Sequence, residues 1–243
     1  MSLPTPYYQD DAVTLYCGDC REILPSVRAD LVFTSPPFNM GKQSGGHANM
    51  RDGYASHSDN LPEPEYVAWQ KDVLSLLWRS VSPSGAVFYN HKPLVRDGVA
   101  LLPTRLLPAE VLLRQVIVWR RRGGVNWNAS FFCPQHEWIL LLAHREWRLT
   151  DRAASWASDV WDFSTEQAVA GHPCPFPEDL PTTAILATES AKVVLDPFAG
   201  SGTTLVAAKN LGRRAIGIEI SEEYCDIAVQ RLSQNVLDFG GVA

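Results

Sequence analysis

The 243-residue chain has no apolar run approaching the roughly 18 residues that cross a bilayer. Its opening Met1-Ser2-Leu3-Pro4-Thr5-Pro6 lacks the basic and apolar regions of a secretory leader. A cytoplasmic protein with no membrane contact is therefore expected. Cysteine is sparse, with five scattered residues, which favours reduced thiols over a disulfide framework. Cys17-Gly18-Asp19-Cys20 has metal-ligand spacing, but no second Cys-x-x-Cys accompanies it. Cys133 and His136 would have to complete such a site, whereas structural zinc usually shows two compact ligand pairs; no metal is expected. Internal repeats and low-complexity tracts are absent. A formal charge of −6 argues against a simple basic protein that coats nucleic acid.

The distribution of charge says more than its sum. Residues 92–152 carry ten Lys/Arg and five Asp/Glu, whereas 153–190 carry six Asp/Glu and no Lys/Arg. A basic middle on an acidic chain suits a protein that grips phosphate with one face. The length supports one α/β domain over residues 1–243.

Two segments carry chemistry. In the first, the apolar run Leu31-Val32-Phe33 leads into Thr34-Ser35-Pro36-Pro37-Phe38-Asn39. Two prolines remove two backbone donors and fix two φ angles while keeping their carbonyls. Ser35 adds an oxygen and Phe38 a flat apolar face. Such a corner can stack a planar ring and accept hydrogen bonds from an exocyclic amino group, as an extruded base requires.

In the second, Val193-Val194-Leu195-Asp196-Pro197-Phe198-Ala199-Gly200-Ser201-Gly202-Thr203-Thr204 reads as a buried strand, a glycine turn and a helix start. Gly200 and Gly202 permit close approach of backbone to a ligand. The next strand, Arg214 to Glu219, ends on a carboxylate placed for ribose hydroxyls. Leu205 stands where a dinucleotide fingerprint needs its third glycine, and no Gly-Lys-Ser/Thr follows, so NAD and phosphate-loop readings fit less well. Asp196 sits where a carboxylate could meet the amine-bearing end of S-adenosylmethionine.

Together these segments resemble the DNA N4-cytosine and N6-adenine amino-methyltransferases. Asp-Pro-Phe-Ala-Gly-Ser-Gly-Thr-Thr looks like their cofactor motif and Ser-Pro-Pro-Phe like their catalytic motif. The catalytic motif comes first, as in the permuted β group. The resemblance spans about Leu15 to Leu232. It implies a Rossmann-like, doubly wound, mostly parallel sheet with circularly permuted motif order, and S-adenosylmethionine as cofactor. Catalysis would fall to Ser35, Pro36, Pro37 and Phe38. Cofactor contacts would come from Asp19, Phe176, Asp196, Phe198, Gly200, Gly202, Thr203 and Glu219. Phe176 closes His172-Pro173-Cys174-Pro175-Phe176, which is similar to the motif packed beside the cofactor. Double-stranded DNA is the implied partner; a homodimer and a cognate restriction nuclease are open.

The remaining segments surround the corner. Residues 40–60 read as a long polar loop. Pro64 to Val81 reads as an amphipathic helix with Val67, Leu74, Leu77 and Trp78 on one face. Strands are expected at 12–16, 31–34, 86–89, 116–119 and 138–143, with helices after Ser201 and Ser221. Arg120, Arg121 and Arg122, with Trp127, combine basic and aromatic groups suited to DNA. Residues 146–172, with three of the eight tryptophans, are the expected target-recognition segment. Both candidate bases offer the same two amino hydrogens. In the family that this chain resembles, the Ser-Pro-Pro-aromatic form is usual for cytosine N4, so the resemblance implies cytosine N4, with adenine N6 the alternative. A protein or RNA amino-methyltransferase would usually place the glycine motif first.

Overall fold

Apolar side chains alternate along the central strands and bury both faces of one sheet. Leu31 and Phe33 face one layer and Val32 the other; Ala86 and Phe88 alternate likewise with Val87 and Tyr89. This period-two pattern, apolar on both sides, belongs to a parallel sheet sandwiched by helices. A computed structural model describes residues 3–40, 60–121, 128–164 and 176–234. The expected 40–60 loop therefore lies, apart from its ends, outside the described residues, as do Arg122, Trp127 and His172 to Pro175.

The strands are β1 (Tyr8–Gln9), β2 (Val13–Cys17), β3 (Ala29–Thr34), β4 (Val81–His91), β5 (Leu94–Arg96), β6 (Val99–Leu101), β7 (Leu113–Arg120), β8 (His136–Ala143), β9 (Val160–Asp162), β10 (Val193–Asp196) and β11 (Arg214–Glu219). The main sheet runs β1-β2-β11-β10-β3-β4-β8-β7-β9, with β5 and β6 forming a separate pair. From β2 through β4 the neighbours are parallel; β8 is antiparallel to both β4 and β7. Helices α1 (Cys20–Ile23) and α2 (Glu63–Ser80) cover one face. Helices α4 (Asp179–Ala187), α5 (Thr203–Asn210) and α6 (Glu222–Gln234) cover the other, and α3 (Asp151–Trp156) packs beside α4. No described helix is long and apolar enough to cross a membrane.

Two local features differ from expectation. The segment Ser82-Pro83-Ser84-Gly85 does not separate helix from strand but lies within β4, where the register jumps from Ala29↔Val81 to Leu31↔Ala86. Gly85 permits this because a Cβ there would stand 2.4 Å from the Asp30 carbonyl. The buried face of α2 comprises Tyr66, Gln70, Val73, Leu74 and Leu77, while Val67 and Trp78 sit at its margins. Gln70 thus occupies a position that hydrophobic periodicity cannot find.

Strand β11 resolves the missing third glycine. That glycine normally lets the helix approach the sheet closely. Here Leu205 enters from α5, and space for it is made in the strand: a Cβ on Gly217 would lie 2.6 Å from Leu205 Cδ1 and 3.0 Å from Leu15 Cδ1. Leu205 and Leu15 are fully buried. Gly217→Val should therefore cost about 1–3 kcal/mol by overpacking, read by urea unfolding, and Leu205→Ala should recover part of that loss. Equal costs in both backgrounds would contradict this packing.

Candidate active site

The parallel strands deliver their carboxyl ends to one edge. Register pairs Glu219 with Cys17, Asp196 with Gly217, and Thr34 with Tyr89. The chain leaves β10 through α5 toward β11 on one side, and leaves β3 through α2 toward β4 on the other. Between β10 and β3 the order reverses, the switch point where open α/β sheets form their ligand crevice.

Asp196 stands at that point, fully buried. Its Oδ1 accepts from Thr34 Oγ1 at 2.8 Å and from Phe198 N at 3.1 Å, and its Oδ2 accepts from Thr204 Oγ1 at 2.7 Å. The side chain therefore braces the glycine turn against β3, at the position expected to face the amine-bearing end of S-adenosylmethionine. Burial pushes its carboxyl up to about 6, against the pull of those hydrogen bonds.

The turn itself is held from both ends. Gly200, at φ 51°, donates its N–H to Glu219 Oε2 at 2.8 Å, and Ser221 N donates to Oε1 at 2.9 Å. Glu219 is 8% exposed, and burial raises its pKa. Gly202, at φ 82°, lies so near α6 that a Cβ would come 3.1 Å from that of Ala228; its smallness answers to helix packing. Arg231 of α6 donates to Ser201 O, Ser201 Oγ and Thr203 Oγ1 at 2.8–3.1 Å. Arginine in a distant helix gives no sequence signal of this clamp.

Around the turn stand the other expected contacts. Asp19 caps α1 through Arg21 N at 2.9 Å and pairs with the Arg21 guanidinium. Gly18 N donates to Glu219 O at 2.8 Å, which locks the Gly-Asp turn beside the acid. Phe198 meets Trp69 edge-on at 5.7 Å, and Phe176 packs on Phe33 at 5.3 Å. Accepting carboxylates, turn backbone and aromatic rims at one edge form a set of groups that fits the hydroxyls, amines and ring of S-adenosylmethionine. Among the described residues, no three His, Cys, Asp or Glu side chains gather as a metal site would require.

The Ser-Pro-Pro-Phe corner continues directly from β3. Ser35 Oγ donates its proton to Asn90 Oδ1 at 2.9 Å, while Asn90 Nδ2 donates to Trp138 O at 3.2 Å. With its proton committed, Ser35 offers only lone pairs to anything else. Phe38 rests on the His91 ring at 4.7 Å. Beneath lie Tyr66, Gln70, Tyr89 and His91, all buried. Burial pushes the His91 ring down to about 3, so it is neutral at ordinary pH.

Of the expected DNA-contacting arginines, Arg120 and Arg121 lie at the same edge, where β7 ends and β8 begins. Arg120 is ion-paired with Asp162 at 2.6 Å yet 57% exposed; Arg121 pairs with buried Glu137 and lies over Trp119. Phe132, in the connection between these strands, is 97% exposed. The expected recognition segment is divided: Trp147 and Trp161 belong to the core, whereas Trp156 is 65% exposed.

The fold has counterparts among known proteins. The N6/N4 family model described as DNA methylase matches residues 29–230. The type II methyltransferase M.BglII of Bacillus subtilis is 31% identical over 95% of this chain and 72% of its own length. M.ScaI of Streptomyces caespitosus is also 31% identical, over 95% of this chain and 84% of its own. Among solved structures, the cytosine-N4-specific PvuII DNA methyltransferase superposes with a TM-score of 0.75 at 21% identity, covering 98% and 90% of the two chains. A Thermus thermophilus protein described as a DNA modification methylase, solved with S-adenosyl-L-methionine, gives a TM-score of 0.62 at 25% identity over 94% and 99%.

The strained burial of Asp196 has a measurable consequence. Its proton is held more tightly in the folded protein than in the unfolded chain, whose ordinary value is 3.8. Its contribution to stability is therefore full below that value and is lost as pH rises through about 6. Between pH 4 and 7, Asp196→Asn should gain on the wild type by up to about 3 kcal/mol in urea unfolding. Parallel pH profiles would contradict the assignment.

Proposed function

The chain belongs to the N6/N4 DNA methylase family, and we propose that it transfers a methyl group from S-adenosylmethionine to the N4 amino nitrogen of a cytosine extruded from duplex DNA. The observation that carries this reading is the Ser35–Asn90 hydrogen bond at 2.9 Å. It turns a serine hydroxyl into a fixed acceptor at a corner that has carbonyls and lacks proline N–H donors.

The amino nitrogen of a base is a poor nucleophile because its lone pair is conjugated with the ring. S-adenosylmethionine, when bound, supplies an electrophilic methyl on a sulfonium. Ser35 Oγ and the Pro36 carbonyl accept the two amino hydrogens and draw the nitrogen toward a tetrahedral shape, which frees its lone pair. As the nitrogen–methyl bond forms, the sulfonium–methyl bond would break, S-adenosylhomocysteine would leave, and one of the two amino hydrogens would depart as a proton to solvent. Phe38, backed by His91, stacks on the base and sets its plane. Glu219 would take the ribose hydroxyls beside the Gly200 turn, Asp19 would contact the adenine and Phe176 would lie against the cofactor, while Asp196 keeps the turn and corner in mutual register. Rate comes from alignment and electrostatics. Arg120, Arg121 and exposed Phe132 line the edge where the duplex would lie, with phosphate contacts from the arginines.

Serine in the first position of the corner supports cytosine over adenine. Since both bases present the same amino group, the deciding experiment is direct: incubate the protein with DNA and labelled S-adenosylmethionine, then identify the modified nucleoside by mass. N4-methylcytosine supports the reading; N6-methyladenine replaces the target base; methylated protein or RNA alone overturns it. The type II relatives suggest a cognate nuclease as partner.

Ser35→Ala should leave S-adenosylmethionine affinity unchanged and lower the single-turnover methylation rate about 10²–10³-fold, the size of one electrostatic acceptor lost from a transition state. Wild-type turnover in a folded Ser35→Ala protein would remove Ser35 from the chemistry.

A further inference from the structure

The corner offers more acceptors than an amino group can use. Ser35 Oγ, the Pro36 carbonyl and the Pro37 carbonyl lie in succession, while an amino group has two hydrogens. A base seated one carbonyl too far along would be bound with its nitrogen off the line of attack. The structure shows what becomes of the surplus oxygen. Pro37 O receives the Tyr66 hydroxyl at 2.9 Å and Gln70 Nε2 at 3.3 Å.

The proton directions around these groups follow from chemistry. His91 Nδ1 lies 3.0 Å from Lys92 O, which only accepts, so Nδ1 carries the ring proton. His91 Nε2 is then an acceptor, 2.7 Å from the Tyr66 oxygen. The single Tyr66 proton is shared between that nitrogen and Pro37 O. Gln70 Oε1 accepts from the Tyr89 hydroxyl, which fixes the amide orientation. Its Nε2 therefore points both hydrogens away, one to the Tyr66 oxygen at 2.9 Å and one to Pro37 O. Tyr66 and Gln70 share the buried face of α2 at an i, i+4 spacing. Tyr89 and His91 share one face of β4 at i, i+2. All four are shielded from water, so each bond is costly to leave unmade.

We propose that Tyr66, Gln70, Tyr89 and His91 are positioning residues that occupy the Pro37 carbonyl and hold Phe38, leaving Ser35 Oγ and the Pro36 carbonyl as the acceptors that a base can reach. None of them touches the base or the cofactor. Their effect is on register: they decide which two oxygens receive the amino hydrogens. This inference rests on the methyl-transfer reading above.

Tyr66→Phe keeps the ring against Trp69 and His91 and removes the hydroxyl; Gln70→Met removes the other donor while keeping the volume. The test uses the full chain with S-adenosylmethionine and the duplex that the wild type methylates. Single-turnover methylation should fall about tenfold in each variant, the kinetic size of one such hydrogen bond. Affinity for S-adenosylmethionine and for DNA should stay within about twofold, since uniform binding is not what these residues supply. A fluorescent base analogue at the target position should still report extrusion in both variants. His91→Gln, which keeps an acceptor for the Tyr66 hydroxyl, should retain more of the rate than His91→Leu. Wild-type rates in folded Tyr66→Phe and Gln70→Met would overturn the proposal. So would a loss of rate that tracks loss of thermal stability and cofactor affinity, which is the mark of a purely structural network. Failure of the wild type to methylate any base would instead sink the functional reading, and this inference with it.

Discussion

A single hydrogen bond, from Thr34 Oγ1 to Asp196 Oδ1 at 2.8 Å, joins parts of the chain 162 positions apart. It crosses from β3 to β10, the strands between which the sheet order reverses. On one side β3 continues into the Ser-Pro-Pro-Phe corner; on the other β10 continues into the glycine turn. The same carboxylate holds Phe198 N and Thr204 Oγ1. Displacing it would loosen the helix start, the glycine turn and the corner together. The protein keeps this group dry although burial raises its pKa to about 6, a strain of the kind that functional sites retain.

Much of this was legible in the sequence because it is local. Proline and glycine fix backbone in ways that need no partner, so the corner and the turn could be located from Pro36, Pro37, Gly200 and Gly202 alone. Short uninterrupted apolar runs located the central strands, and the order of the two motifs suggested the permuted sheet. The limits are equally physical. Gln70 is fully buried on a helix face, but a polar residue at a core position looks like a break in the apolar pattern until its partners are known. The pairing of Ser35 with Asn90 spans 55 positions and depends on β3 and β4 being neighbours. Gly217 carries the role of the absent third glycine only because β11 lies under Leu205.

The basic segment shows the opposite lesson. Charge counts placed a cationic stretch in the middle of the chain, and β7 ends on Arg120 at the sheet edge that carries the corner. Yet Arg120 and Arg121 are already paired with Asp162 and Glu137. Such pairs hold side chains in place at the rim and moderate the field offered to phosphate. The tryptophans between 146 and 172 similarly divide between core and surface. Composition alone does not distinguish an indole that packs against Phe88 from one that meets solvent.

Through Asp196, the glycine turn and the Ser-Pro-Pro-Phe corner act as one unit. Thr34→Val keeps the shape of the side chain in β3 and deletes only its hydroxyl. Because Thr34 lies in the strand that leads to the corner and the proposed cofactor contacts lie chiefly in the turn, titration of S-adenosylmethionine into this variant by calorimetry is the most direct measurement. Loss of one net hydrogen bond predicts a several-fold weaker affinity, about 1 kcal/mol. Wild-type affinity in a folded Thr34→Val protein would contradict the account.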